Sequence, residues 1–225
     1  EHAIGLSAGL ARGGFRPVVA IYSTFLQRSY DQIIHDVCLQ NLPVVFCLDR
    51  AGLVGEDGPT HHGIFDIAYL RHIPNLIVMA PSSPGELKAM LDYALTQKRP
   101  LAIRYPRGSA PLFTNEAALI YAKHAKNEEP IQTGKSETIK EGKDLAIIAI
   151  GSMVSTAVEV SSLLMKKAIR AAVINARFVT PLDGSVLEEI CRTHKRIVTI
   201  EEGILEGGFG SAVLEFLERE NIKGM

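Results

Sequence analysis

Two short segments of this sequence gather the side chains that could bind and turn over a small charged molecule. The first runs from Tyr22 to Gln32 and carries Tyr22, Phe25 and Arg28; the second runs from Asp49 to Gly63 and carries Asp49, Arg50, Asp57, His61 and His62. Both follow apolar runs with the look of strands, and open α/β sheets bind ligands beyond the carboxyl ends of their strands. An aromatic ring, arginines, an aspartate and histidines brought to one sheet edge would make half of an active site. Phe25 falls just past Val18–Ile21, where a helix should begin with Ser23 or Thr24 as its cap. Its ring either staples that helix to the core or offers a flat face to a heteroaromatic ring, a contact that adds about 0.5–1.5 kcal/mol beyond burial. Taken alone, a tyrosine such as Tyr22 more often caps a core with its ring and an arginine such as Arg28 more often solvates a helix, so neither argues for function by itself.

Arg50 closes the second strand pattern, and Gly52, Gly55 and Gly58 make the following segment a flexible loop instead of a helix. A further strand pattern ends in Arg104-Tyr105-Pro106-Arg107-Gly108, where Pro106 and Gly108 would hold Arg107 in a fixed turn. Guanidinium groups at two strand ends can form a fork for phosphate or carboxylate, because planar bidentate donors match those oxygens. Surface ion pairs with Asp49 or Glu56 are the alternative. Asp57, His61 and His62 match no strong metal template and no third ligand is evident, so no metal site is assigned. A loop histidine near arginines is suited to orienting a hydroxyl or moving a proton near neutral pH; simple solvation is the alternative for His61. Glu201-Glu202-Gly203 and Glu206-Gly207-Gly208-Phe209-Gly210-Ser211 sit between a strand and a helix, but their glycines do not fit G-x-G-x-x-G, which favours a tight structural turn.

The elements that must position these groups are legible as alternating patterns. Val18–Ile21, Val44–Leu48, Leu76–Met79 and Leu101–Arg104 are mostly apolar runs of the kind buried on both sheet faces. Helical spacing joins Tyr30, Ile33, Ile34, Val37 and Cys38, and again Leu87, Met90, Leu91 and Ala94 behind the start signal Ser82-Ser83-Pro84-Gly85-Glu86. The fold class is therefore α/β with a parallel sheet. Residues 1–126 are expected to form the first domain, the polar, lysine-rich residues 127–143 a linker, and residues 144–225 a second α/β domain. In that domain, strands are expected at 145–150, 172–174 and 197–200, with helices at 154–164 and 182–191. The first and last residues read as the edges of a fragment.

Composition narrows the partners. A net charge of -1 gives no basic footprint for nucleic acid, and no apolar run approaches the ~20 residues that span a bilayer, so neither nucleic acid nor membrane is expected. Cys38, Cys47 and Cys191 are odd in number and lack a CxxC spacing, which favours reduced thiols and a cytoplasmic setting.

At these residues the sequence resembles the 1-deoxy-D-xylulose-5-phosphate synthase family, transketolase-like enzymes that depend on thiamine diphosphate. The likeness runs through Glu1-His2-Ala3, Tyr22 to Gln32, Asp49 to Gly63, Tyr105-Pro106-Arg107-Gly108 and Arg177-Phe178-Val179-Thr180-Pro181-Leu182-Asp183. It implies a pyrimidine-binding domain followed by a transketolase C-terminal domain, cut short. It also implies condensation of pyruvate with glyceraldehyde 3-phosphate and loss of CO2, in supply of isoprenoid, thiamine and pyridoxal precursors, by a homodimer. By the same resemblance Phe25 would stack on the cofactor's aminopyrimidine with Arg28 close by, and Tyr22, Arg50 and Arg107 would line the substrate pocket, with Asp57 and His61 as catalytic polar groups. The family's Ala-Glu-x-His-Ala motif places Glu1 at the variable position, so the activating glutamate would lie upstream of Glu1. Mg2+ and the cofactor's phosphates would be held by a preceding domain, and the chain alone is expected to be inactive. A transketolase, a 2-oxoacid dehydrogenase β subunit and a non-catalytic dimerisation module are the alternatives.

Overall fold

Three of the four apolar runs of the first half become strands buried on both faces, while the first, at the sheet edge, buries Val19 and leaves Val18 and Ala20 exposed, so the reading of burial on both faces does not hold for it. The structure, a computed structural model, describes residues 1–108 and 130–222. Helix α1 (His2–Arg12) leads into β1 (Val18–Tyr22), which pairs in parallel with β2 (Val45–Asp49). The strands β3 (Ile77–Met79) and β4 (Leu101–Arg104) complete a parallel core in the order β1-β2-β4-β3. All residues of β3 and β4 are buried, as continuous apolar runs require.

Between β1 and β2 lies α2, a helical run over residues 23–38 that ends in a π-helical turn, Ile33–Cys38. Its Leu26, Ile33, Val37 and Cys38 are fully buried. Short helix α3 (Asp66–Leu70) precedes β3, and α4 (Pro84–Thr96) follows it. The start of α4 matches its sequence signal. Ser83 Oγ accepts from the Glu86 N–H at 3.1 Å with Pro84 in the first turn.

The second sheet has the order β5-β7-β6-β9, from β5 (Glu137–Lys140), β6 (Leu145–Ala149), β7 (Ala171–Asn175) and β9 (Ile197–Ile200). Its helices are α5 (Met153–Met165), α6 (Gly184–Thr193) and α7 (Phe209–Arg219). Two strands depart from the sequence reading. Residues 137–140, expected inside the linker, form β5, an edge strand in which Ile139 alone is buried, so it carries almost no apolar periodicity. Strand β8 (Phe178–Thr180) leaves the second half and pairs antiparallel with β3, closing the first sheet's far edge. The boundary expected at residue 126 lies outside the described residues.

The two halves are consequently interlocked. Buried Arg177 donates from Nε to Glu86 Oε1 at 2.6 Å and from Nη2 to Glu137 Oε2 at 2.7 Å, tying β8 and β5 to α4. One apolar cluster runs from Ile4, Leu26 and Phe46 to Ile148, Leu187 and Phe209. At the carboxyl end of β4 the 4 % exposed Arg104 donates from Nε to both oxygens of the fully buried Asp66, at 3.1 and 3.0 Å. Removing one member of such a pair strands the other charge in the interior. Asp66→Ala is therefore expected to lower unfolding stability by about 3–5 kcal/mol in urea denaturation. A loss below about 1 kcal/mol, the value of an exposed pair, would contradict the burial.

Candidate functional site

The parallel register sets the site. Tyr22 lies opposite Asp49 at the ends of β1 and β2, and Leu48 lies opposite Arg104, so the residues that follow all emerge at one sheet edge. Phe25 lies in the first turn of α2, where neither expected cap is used. Ser23 Oγ donates to Asp66 Oδ2 at 3.0 Å and Thr24 Oγ1 to the Thr60 carbonyl at 3.3 Å, because each hydroxyl serves a tertiary partner instead of its own helix.

Arg50 has φ +59°, a left-handed conformation rare for residues other than glycine and worth about 1–3 kcal/mol of strain. Asp49 grips it twice, accepting from the Arg50 backbone N–H at 2.7 Å and from Nη1 at 2.6 Å. The turn carries the guanidinium back over β1, where its carbon lies 3.8 Å from the centre of the Tyr22 ring. Arg50 Nε donates to Asp57 Oδ2 at 2.9 Å, and Arg107 Nε lies 3.4 Å from the same oxygen. Arg107 also lies 3.7 Å from Glu56. Desolvation lowers the Arg50 pKa, but the bond to Asp57 and the charge of Asp49 together outweigh it and push it above the ordinary value. The two arginines converge, and the ion pairs with Asp49 and Glu56 form as well, with Asp57 standing between the guanidinium groups.

The aromatic groups form a second layer. Tyr22 and Phe25 stack with centroids 5.2 Å apart and planes 12° from parallel, and the His61 ring meets Phe25 edgewise at 5.5 Å. Tyr22, Phe25, Arg50, Asp57, His61 and Arg107 are thus joined by direct contacts. Arg28 is exposed one turn beyond Phe25, with no hydrogen bond or ion pair among the described residues. His62 serves the loop itself, because its Nδ1 accepts from the Val54 N–H at 3.2 Å and so orients the backbone there.

That loop is closed, not flexible as the glycines suggested. Gly52 and Gly63 exchange two backbone hydrogen bonds, each 2.8 Å, and two 3₁₀ turns, Gly55–Asp57 and Pro59–His61, fill the segment between them. A side chain at Gly63 would place Cβ 2.4 Å from the Arg50 carbonyl and 2.6 Å from Ser23 Cβ, so only glycine allows the neck to close. Behind the arginines a cavity of about 660 Å³ opens between the halves, lined by Asp49, Arg50, Ser83, Tyr105, Arg107 and Met153 among others. Burial pushes the Tyr105 hydroxyl up to about 12, with Cys47 and Asp49 adding to the shift, so it stays a neutral donor.

The glycine-rich turn after β9 is capped from within the chain. Glu201 accepts from the Phe209 and Gly210 N–H groups at 2.8 Å each and so fills the helix N-terminus where a pyrophosphate would bind. Among the described residues no group of three His, Cys, Asp or Glu side chains is placed to hold a metal ion.

Comparison with known proteins identifies the two domains that carry this arrangement. Residues 1–111 match the family described as "Transketolase, pyrimidine binding domain" and residues 134–225 the family described as "Transketolase, C-terminal domain". This chain belongs to the transketolase family. It is similar over its full length to the 1-deoxy-D-xylulose-5-phosphate synthase of Syntrophus aciditrophicus, 53% identical across 100% of this chain and 33% of that protein. With 1-deoxy-D-xylulose-5-phosphate synthase 1 of Geobacter sulfurreducens the identity is 54%, across 100% of this chain and 34% of that protein. The chain thus spans about a third of the length of these relatives. A solved "Split gene transketolase, inactive beta4 tetramer" superposes with a TM-score of 0.85 at 29% identity, covering 97% of this chain and 67% of that one.

Sequence reasoning did not single out Asp66, offered Ser23 only as a helix cap, and gave Arg104 no role of its own. Arg104 was visible as a lone charge in a buried strand, but its partner Asp66 is 38 residues away and carries no local signal.

For a transketolase-type cofactor the chain offers a ring surface and cations: Phe25 is backed by Tyr22 yet 49 % exposed. That exposure separates its two sequence readings. A core staple would cost about 3–5 kcal/mol on truncation, whereas Phe25→Ala is expected to cost only about 1 kcal/mol, the value of its aromatic contacts. Urea denaturation of the variant distinguishes the two.

Proposed function

We propose that this chain is the pyrimidine-binding and C-terminal portion of a 1-deoxy-D-xylulose-5-phosphate synthase, which joins pyruvate to glyceraldehyde 3-phosphate with loss of CO2. One observation carries the reading: the chain is 53% identical to such a synthase over its whole length, a span that includes the loop carrying Arg50, Asp57 and His61. The transketolase alternative shares the fold at 29% identity.

Thiamine diphosphate, when bound, supplies the electron sink for decarboxylation. In this proposal the exposed part of Phe25 carries the aminopyrimidine, with the exposed Arg28 beside it. Tyr22 holds the Arg50 guanidinium through its ring face, so that Arg50 keeps donors free after serving Asp49 and Asp57. Arg50 and Arg107 bind the phosphate of the triose or the carboxylate of pyruvate, and Asp57 spaces them so that one anion can reach both. His61, fixed against the Phe25 edge, orients a substrate hydroxyl and exchanges its proton. Holding both reactants on a preset frame is the main contribution such a site makes to rate.

The diphosphate and Mg2+ sites and the activating glutamate are proposed to lie outside this chain, which spans about a third of its relatives. The inactive tetramer of the split-gene transketolase supports the further proposal that this half is inactive alone. A homodimer in the cytoplasm is proposed for the complete protein.

The complete gene product is expected to make 1-deoxy-D-xylulose 5-phosphate from the two substrates and cofactor, and the 225-residue chain none. Product from the chain alone, or ketose-donor activity only from the complete protein, would contradict the proposal. In the active protein Arg50→Ala or Arg107→Ala is expected to lower kcat/KM by about 10- to 150-fold, as for loss of a charged hydrogen bond. Unchanged kinetics would favour a non-catalytic module.

A further inference from the structure

Glu201 and Glu202 follow the same strand but face different partners. Glu201 caps α7 within its own half. Glu202 reaches across to the first half, where its Oε1 accepts from the Leu53 N–H at 3.1 Å. Its other oxygen accepts from Ser152 Oγ at 3.0 Å, at the carboxyl end of β6, so the carboxylate is anchored in the second half while it holds the first. The Glu202 carbonyl accepts from Arg104 Nη2 at 3.0 Å, which ties its backbone to the buried Asp66 pair.

The contact falls at the neck of the loop that carries Arg50, Asp57 and His61. A side chain at Gly52, where φ is +80°, would place Cβ 2.6 Å from the Glu202 carboxylate, so the glycine is what permits the approach. Leu53 is itself 61% exposed and brings little packing of its own, which leaves the carboxylate as the tether on its backbone. Gly52 in turn exchanges hydrogen bonds with Gly63, so whatever fixes Gly52-Leu53 fixes both ends of the loop.

We infer that Glu202 is a positioning residue for the substrate pocket: the second half of the chain sets, through this carboxylate, where the Arg50–Asp57–His61 loop stands. The inference rests on the functional reading above for its kinetic consequence, but the mechanical part is independent of it.

The first test is hydrogen exchange on the complete gene product. In Glu202→Ala, amides of residues 52–63 exchange about tenfold faster, as local opening requires, while α4 and the strands of both sheets keep their protection. Glu202→Gln, which retains an oxygen for the Leu53 N–H, restores most of it. Gly52→Ala, which pushes the neck off the carboxylate from the other side, reproduces the loosened loop. Unchanged loop exchange in folded Glu202→Ala would overturn the inference. So would loss of protection throughout both sheets in Glu202→Ala together with an unaltered loop in folded Gly52→Ala.

The second test is kinetic, in the complete gene product. Glu202→Ala raises KM for glyceraldehyde 3-phosphate about tenfold with kcat within about twofold, the pattern of lost binding geometry, and Glu202→Gln recovers KM. Equal loss in kcat with KM unchanged would overturn the positioning role. Absence of synthase activity in the unsubstituted protein would instead refute the functional reading and leave the exchange test standing.

Discussion

A guanidinium buried at the end of a strand must be neutralised where it stands, since an unpaired interior charge is far too costly to keep. Arg104 meets that requirement with Asp66, and the partner set of the pair reaches two other parts of the chain. Asp66 takes the Ser23 hydroxyl, which starts the helix bearing Phe25, and the backbone N–H of Ile67 at 2.8 Å. Arg104 gives its remaining bond to the Glu202 carbonyl of the second half. One buried pair thereby connects the aromatic side of the site, the β4 strand end and the second domain. Buried ion pairs are weak sources of net stability but firm constraints on geometry once formed, because any displaced member is left unsatisfied.

The arrangement at the site is a balance of charge more than a basic patch. Arg50 and Arg107 face Asp49, Glu56 and Asp57, so the cleft is not strongly cationic at rest. Under the proposed function, specificity for an anion would come from directed donors on a held fork, with the positive φ at Arg50 as the backbone cost of aiming one prong. Tyr22 serves both layers, stacking on Phe25 and lying under Arg50, which couples the ring surface to the fork.

Much of this was legible in the sequence, and the omissions have physical reasons. Of the four parallel strands of the first sheet, β2, β3 and β4 were visible because burial on both faces leaves uninterrupted apolar runs, β1 was visible as an apolar run although one face is exposed, and α4 was visible through Ser83 and Pro84. The site residues were visible as unusual chemistry after strand ends. Strand β5 was hidden because an edge strand with one buried side chain resembles a polar linker, and β8 because three residues carry no period. The closed neck at Gly52 and Gly63 could not be foreseen from glycines that more often loosen a loop. Asp66 and Glu202 act through partners 38 and 149 residues away, a separation at which sequence pattern holds no geometric information.

The central claim is that a ring surface at Phe25 and a fork at Arg50 and Arg107 serve one reaction from two sides of a single cleft. The most direct measurement is a crystal structure of the complete gene product with thiamine diphosphate and glyceraldehyde 3-phosphate. The account predicts the aminopyrimidine stacked on Phe25, with ring centroids about 4.5–7 Å apart, and the triose phosphate bonded to both arginines. A phosphate bound away from Arg50 and Arg107, or a pyrimidine ring without contact to Phe25, would contradict it.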